Sequence, residues 1–208
     1  MSNFIAEFAD ESKGLVFKPG LNEDVSLKTF SYEKTDDYEY VQLEFEKEGD
    51  MINDRVYAPS RVFPRMMKKR QDGNLVDDRM ETEAEAWART WGEVNAKLKH
   101  IATNFVTDEE FGNKLESMKP KSFKEMVDLC SSCIPPNFNE KKGGLLLGYN
   151  KKGFLSVPVA MWVTGHFFAV EGSGKELTID RKLQLERPND DTDGGSDEQK
   201  EETTSWTT

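Results

Sequence analysis

The sequence predicts an α+β domain, mainly β, in which a helical insertion separates the third strand from the fourth. Three observations predict it. Residues 24–58 hold three stretches of strand-like alternation joined by short links. Residues 82–134 change to a helical period, and alternation returns after residue 143.

The first strand is expected in DVSLKTFSYE (24–33), which is rich in β-branched and aromatic residues. The second, YEYVQLEFEK (38–47), places Val41, Leu43 and Phe45 on one face and Tyr40, Gln42, Glu44 and Glu46 on the other. The third, MINDRVYA (51–58), sets Ile52 and Val56 against Arg55 and Tyr57. The links KTDD and EGD are polar and turn-forming.

In the middle, Ala84, Trp87, Trp91, Val94, Leu98, Ile101 and Phe105 recur at spacings of three and four, an amphipathic helix. Thr82 to Glu85 matches a capping box at its start. Thr107 to Glu110 opens a second helix through Met118, and Ser122 to Glu125 opens a third that Pro135-Pro136 stops. Trp87 and Trp91 belong to the apolar stripe and read as core. Lys97, Lys99 and His100 read as facing away from it, where they either extend a basic surface or are simply solvated.

Strands return in GLLLGYNKKGFLSVPV, a hairpin around Asn150-Lys151-Lys152-Gly153, then in AMWVTGHFFAV and in the alternating KELTIDRKLQLE. EGSGKELT (171–178) is a turn; it lacks the spacer of a phosphate loop. Three parts follow: an arm over 1–20, a domain over 21–188 and a tail over 189–208. Phe4, Ile5 and Phe8 give the arm an apolar side, to dock on its own domain or on a neighbour, which leaves a homo-oligomer open. Strands, helix, strands is the order of five-stranded Greek-key barrels of the oligonucleotide-binding type, an OB-like barrel. A generic α+β domain shares that order.

The chain of 208 residues carries 28 bases and 39 acids, a formal charge of −11. From Asn189 onward stand Asp190, Asp191, Asp193, Asp197, Glu198, Glu201 and Glu202 against Lys200 alone, so this stretch holds −6 of the total. It is too poor in apolar residues to fold, and Trp206 is its one large apolar side chain. No apolar run reaches the roughly 18–20 residues of a membrane span, and MSNFIAEFADESKG is no signal peptide. A cytoplasmic location with reduced thiols is the expectation. Cys130 and Cys133 form a lone CxxC that closes a helix, which suits apolar packing better than a metal or redox site. There is no GxSxG motif, no nucleophile–base pair and no recognisable two-metal pattern. No catalysis, cofactor or metal is expected.

RVYAPSRVFPRMMKKR (55–70) reverses the local sign. It holds Arg55, Arg61, Arg65, Lys68, Lys69 and Arg70 with no acid, interleaved with Tyr57 and Phe63. Cations neutralise phosphates and release counterions, while aromatic faces stack on bases. The alternative is a solvated basic loop with Phe63 in the core. From Lys141 to Val170 there is again no acid, and Tyr149, Lys151, Lys152 and Phe154 cluster at the hairpin. An ordinary hairpin with a polar tip is the alternative there. Together the two regions point to a nucleic-acid surface.

The closing DDTDGGSDEQKEETTSWTT resembles the acidic tails of single-stranded-DNA-binding proteins of bacteria and bacteriophages, which join a barrel domain to an acidic tail with an aromatic at or near its end. FKPGLNEDVSLKTFSYEK (17–34) is similar to the start of phage proteins read as single-strand binders. Here Thr207 and Thr208 follow the indole, whereas bacterial tails finish on the aromatic itself. The resemblance implies sequence-independent binding of single-stranded DNA in replication, recombination or repair. It also implies a tail, from Asp190 to Trp206, that recruits replication or recombination proteins. Tethered near a basic groove, such an anion also competes with DNA. The rival is a structural or assembly protein of a virion or large complex, without nucleic-acid binding.

Overall fold

The structure, a computed structural model, describes residues 16–71, 74–158, 166–179, 183, 185 and 186, without the side chains from 67 to 78. The expected arm lies outside it up to residue 15, as does the whole tail from 189.

Among the described residues, eight strands and three α-helices follow in chain order. They are β1 Gly20–Lys34, β2 Glu39–Lys47, β3 Asp50–Tyr57, β4 Met66–Gln71, β5 Asn74–Met80, α1 Glu83–Ala102, α2 Asp108–Met118, α3 Phe123–Cys133, β6 Gly143–Tyr149, β7 Leu155–Ser156 and β8 Phe168–Val170. One antiparallel sheet runs β3-β2-β1-β6-β7, with β8 added on β6. Its outer strands β3 and β7 lie against each other, so the sheet curls into a nearly closed barrel.

β1 makes that curl possible. Its first residues pair with β6 (Gly20 opposite Leu147), and from Ser26 onward it pairs with β2. The register slips between Asn22 and Val25 and again between Leu27 and Thr29. Bulges of this kind bend a strand and increase its twist. Asn22, buried at the corner, accepts from the Lys18 amide at 2.9 Å and donates to the Lys18 carbonyl at 2.7 Å.

The alternation expected in β2 is realised: Val41, Leu43 and Phe45 are fully buried. Leu145, Leu146 and Leu147 are buried in succession, so β6 is covered on both faces. Where β8 joins it, a Cβ on Gly143 would lie 2.1 Å from the Ala169 carbonyl oxygen, so only glycine lets the two backbones pair.

α1 and α3 close the barrel's core with Leu98, Ile101, Leu129 and Cys130. The boxes at Thr82 and Thr107 form in full. At Ser122 only half forms: its side chain accepts from the Glu125 amide, while the Glu125 carboxylate takes the Lys121 amide instead.

Three differences from the sequence reading stand out. First, 66–80 forms a two-stranded sheet, β4–β5, so in chain order the helices follow the fifth strand rather than the third. Second, 175–179 is not a strand; Leu177 leans on the core without pairing, and Ile179 and Leu185 are exposed. Third, Lys97 faces inward. It is only 4% exposed and pairs with Asp54 from the inner face of β3. Ala84, expected in the stripe, is exposed instead. No helix among the described residues is long and apolar enough to cross a membrane.

Candidate nucleic-acid interface

Pairing of β2 with β3 sets Tyr40 opposite Tyr57 and Gln42 opposite Arg55. Their neighbours Val41 and Val56 are buried, so these four point outward. The rings of Tyr40 and Tyr57 lie 5.4 Å apart, and Tyr38 meets Tyr57 edge-on at 6.0 Å. The Arg55 guanidinium sits 5.0 Å from the centre of the Tyr40 ring, and its Nε donates to the Gln42 amide oxygen at 2.9 Å. Tyr38 and Tyr57 are 56% and 46% exposed. This is a fixed cation among solvent-facing aromatic rings, held by the sheet beneath it.

The segment after β3 carries a second pair of the same kind. Phe63 is exposed, not core, and the Arg61 guanidinium lies 5.2 Å from its ring centre. The segment is anchored on α1. Arg89 donates to the Phe63 carbonyl at 3.0 Å and to the buried Glu81, whose carboxylate also accepts the Arg65 amide at 3.0 Å. The Arg89 hydrogen bond holds the Glu81 carboxyl below the usual carboxylate range.

Arg65 is partly spoken for, since its guanidinium pairs with Glu93 at 3.5 Å. Lys68, Lys69 and Arg70 lie on β4, where the register sets Lys68 opposite Asp78 and Lys69 opposite Asp77. Acidic positions of β5 therefore stand in register with a strip that carries none in sequence.

The hairpin tip joins β6 to β7. Lys151 and Lys152 are exposed in its turn, and the Asn150 side chain accepts the Lys152 and Phe154 amides. Phe154 is 64% exposed and Tyr149 half-buried. No ring contact or hydrogen bond among the described residues joins the tip to Arg55, Tyr57 or Phe63. The link is β7, which leads from the tip and lies against β3.

The sequence reading missed Tyr38 and Tyr40 as partners of Tyr57. The signal was present, because alternation already put Tyr40 on the polar face. The basic extension on α1 does not form. Lys97 is buried and Lys99 pairs with Asp108 at 3.0 Å. His100 meets His166 with tilted rings whose centres lie 4.9 Å apart, and burial, reinforced by His166 and nearby lysines, pushes it down to about 4. Cys130 and Cys133 are buried free thiols, and burial raises both. Among the described residues no group of three His, Cys, Asp or Glu side chains is placed to hold a metal ion.

No family model matches the chain, and neither a curated protein nor a solved structure does.

Proposed function

We propose that this protein binds single-stranded DNA without strong sequence preference and without catalysis, as phage-type single-strand binders do in replication, recombination and repair. The observation that carries the reading is the outward cluster of Tyr38, Tyr40 and Tyr57 around Arg55. Rings offer stacking faces to any base, and the arginine offers a fork to the adjoining phosphate. Arg61 with Phe63 repeats the pairing one segment further on. In this reading the barrel is OB-like. The support is the pairing of β1 with both β2 and β6 and the return of β7 to β3. The acids from Asp190 to Glu202 compete with DNA for those cations and recruit replication or recombination proteins.

One observation favours a second reading. The opposition of Lys68 and Lys69 to Asp78 and Asp77 gives β4–β5 mixed charge, which suits protein contacts in a virion or large complex. A fluorescence titration with oligo-dT at two salt concentrations separates the two. Single-strand binding gives a bound signal that weakens with salt, by a log–log slope of roughly −0.7 per phosphate neutralised. No binding at low salt, or no slope, leaves only the assembly reading. Removing residues 189–208 tightens DNA binding in the first case and changes nothing in the second.

A further inference from the structure

Tyr38 belongs to two surfaces. One is the outward ring cluster, where it meets Tyr57 edge-on. The other is a hollow of about 400 Å³ between the β1–β2 link, the segment after β3 and the helices. Tyr38, Ala58, Pro59, Trp91 and Phe123 line it. Trp91 and Ser122 also line a second, open groove of about 680 Å³ formed by α1, α2 and α3. Both volumes fall within the usual range of ligand pockets. The two hollows make one track that starts beside Tyr57 and ends between the helices, with the half-buried Trp91 ring as their common wall.

The far groove has the chemistry of a nucleotide seat. Its walls are Trp91 from α1, Phe111 and Leu115 from α2, and Met126 from α3. Leu115 is 39% exposed, which leaves an apolar wall facing solvent. Lys99, Lys119 and Lys121 stand on its rim, and among the described residues no carboxylate lines it. Asp108 takes Lys99 at 3.0 Å. Lys119 and Lys121 are exposed, and their ammonium groups have no carboxylate partner among the described residues. Lys119 caps α2 in the left-handed region, so the chain turns there and both lysines border the same groove.

One polar atom points to the guest. Asn95 lines the groove, and its side-chain oxygen is buried without a hydrogen-bond donor among the described residues. Such an acceptor is costly to leave unpaired. The terminal torsion of Asn is soft, so the amide turns readily toward a donor that enters. A nucleobase offers a flat face to the rings and an N–H on its pairing edge to Asn95, and its phosphate suits the lysines. Every base carries such an N–H, so the seat tolerates any sequence.

We infer that a single strand leaving the tyrosine face crosses Trp91 and seats a further nucleotide between α1, α2 and α3, its base against Trp91 and its phosphates on Lys119 and Lys121. The crossing itself is not cationic. Lys34 pairs with Glu39 at 2.7 Å, and Asp36 and Asp37 stand in the link. Ring faces rather than charge carry the strand over that step, and the cations wait on either side of it.

This path rests on the single-strand reading, and its test separates the two. The full chain is labelled with 5-fluorotryptophan, and the Trp91 ¹⁹F signal is assigned by its loss in W91F. The probe is oligo-dT of about 16 nucleotides, the upper end of the site size of one OB barrel. The Trp91 signal is expected to move on binding. In K119Q/K121Q, two exposed changes, that movement shrinks and the log–log salt slope falls by about 1.4, two phosphates at roughly 0.7 each. An oligomer that binds and weakens in Y57A, yet leaves Trp91 unmoved and keeps its full slope in K119Q/K121Q, overturns the path and spares the tyrosine face. A Trp91 movement of full size in K119Q/K121Q, with the slope unchanged, is transmitted from elsewhere and overturns the path as well. No binding of the oligomer overturns both readings. Movement of the Trp91 signal with dTMP but not with the oligomer assigns the groove to a free nucleotide and overturns the strand path.

Discussion

Asp54 and Arg55 are neighbours on β3 and end on opposite faces of the sheet. Asp54 points inward and pairs with Lys97, which α1 carries into the core. Arg55 points outward and rests on Tyr40. Both faces hold a cation beside aromatic rings, since Lys97 also lies 5.6 Å from the Phe167 ring centre. Inside, the charge is consumed: burial lowers the Lys97 ammonium from its usual value, and Asp54 opposes that shift. Outside, the charge and the rings stay available. The pleat alone decides that Asp54 turns to the core and Arg55 to solvent.

The largest effect is expected on the inner side. Asp54→Asn takes the Asp54 carboxylate away from the buried Lys97 ammonium, and breaking one partner of a buried pair costs about 3–5 kcal/mol. A drop of that size in urea unfolding is expected, with most of it recovered in D54L/K97M. An unchanged midpoint in D54N breaks the contrast between the two faces.

On the outer face, Tyr57→Ala removes a ring that touches both Tyr38 and Tyr40. Loss of a stacked base costs about 1–3 kcal/mol, so oligo-dT affinity is expected to fall at least several-fold with little change in unfolding midpoint. A Y57A chain that unfolds early but binds normally reverses the assignment. Arg55→Gln is smaller in affinity and more specific in kind. It is expected to reduce the salt slope by about 0.7, one phosphate, because the charge is lost and the rings remain.

A pH-dependent effect sharpens why α1 contributes no basic surface. His100 is held neutral down to about 4, below the ordinary 6.5. The unfolded chain then binds the extra proton between those values. Stability from this group is complete above pH 6.5 and is lost as pH falls toward 4. The melting temperature of the unmutated chain is expected to drop across that window, and the drop to flatten in H100F.

Much of the sheet was legible because one face of β2 is buried and the other is not. Val41, Leu43 and Phe45 announce their own period. The helices were legible from their caps, which sit at Thr82, Thr107 and Ser122. β4–β5 was overlooked because MMKKRQDGNLVDDRM has no apolar alternation, although Asp72-Gly73 is a strong hairpin signal. Leu177 and Ile179 had alternation, yet neither lies in a strand; period reports amphipathicity, not pairing. Lys97 was misplaced because helical periodicity treats every lysine as solvated. The clue lay in another element, where Asp54 shares a face with Ile52 and Val56. Of the proposed interface, Arg55, Tyr57, Arg61 and Phe63 could be read from sequence, but Tyr40, the partner of Arg55 and Tyr57, needed the register. A surface assembled across strands is visible only once pairing is known.

The direct measurement is photocrosslinking of 5-iodouracil-substituted oligo-dT to the full chain, with the adducts located by mass spectrometry. Adducts on Tyr38, Tyr40, Tyr57 and Phe63, suppressed by added salt, are the expected result. Adducts confined to α1–α3, or none at concentrations where the oligonucleotide binds, contradict the assignment of the tyrosine face.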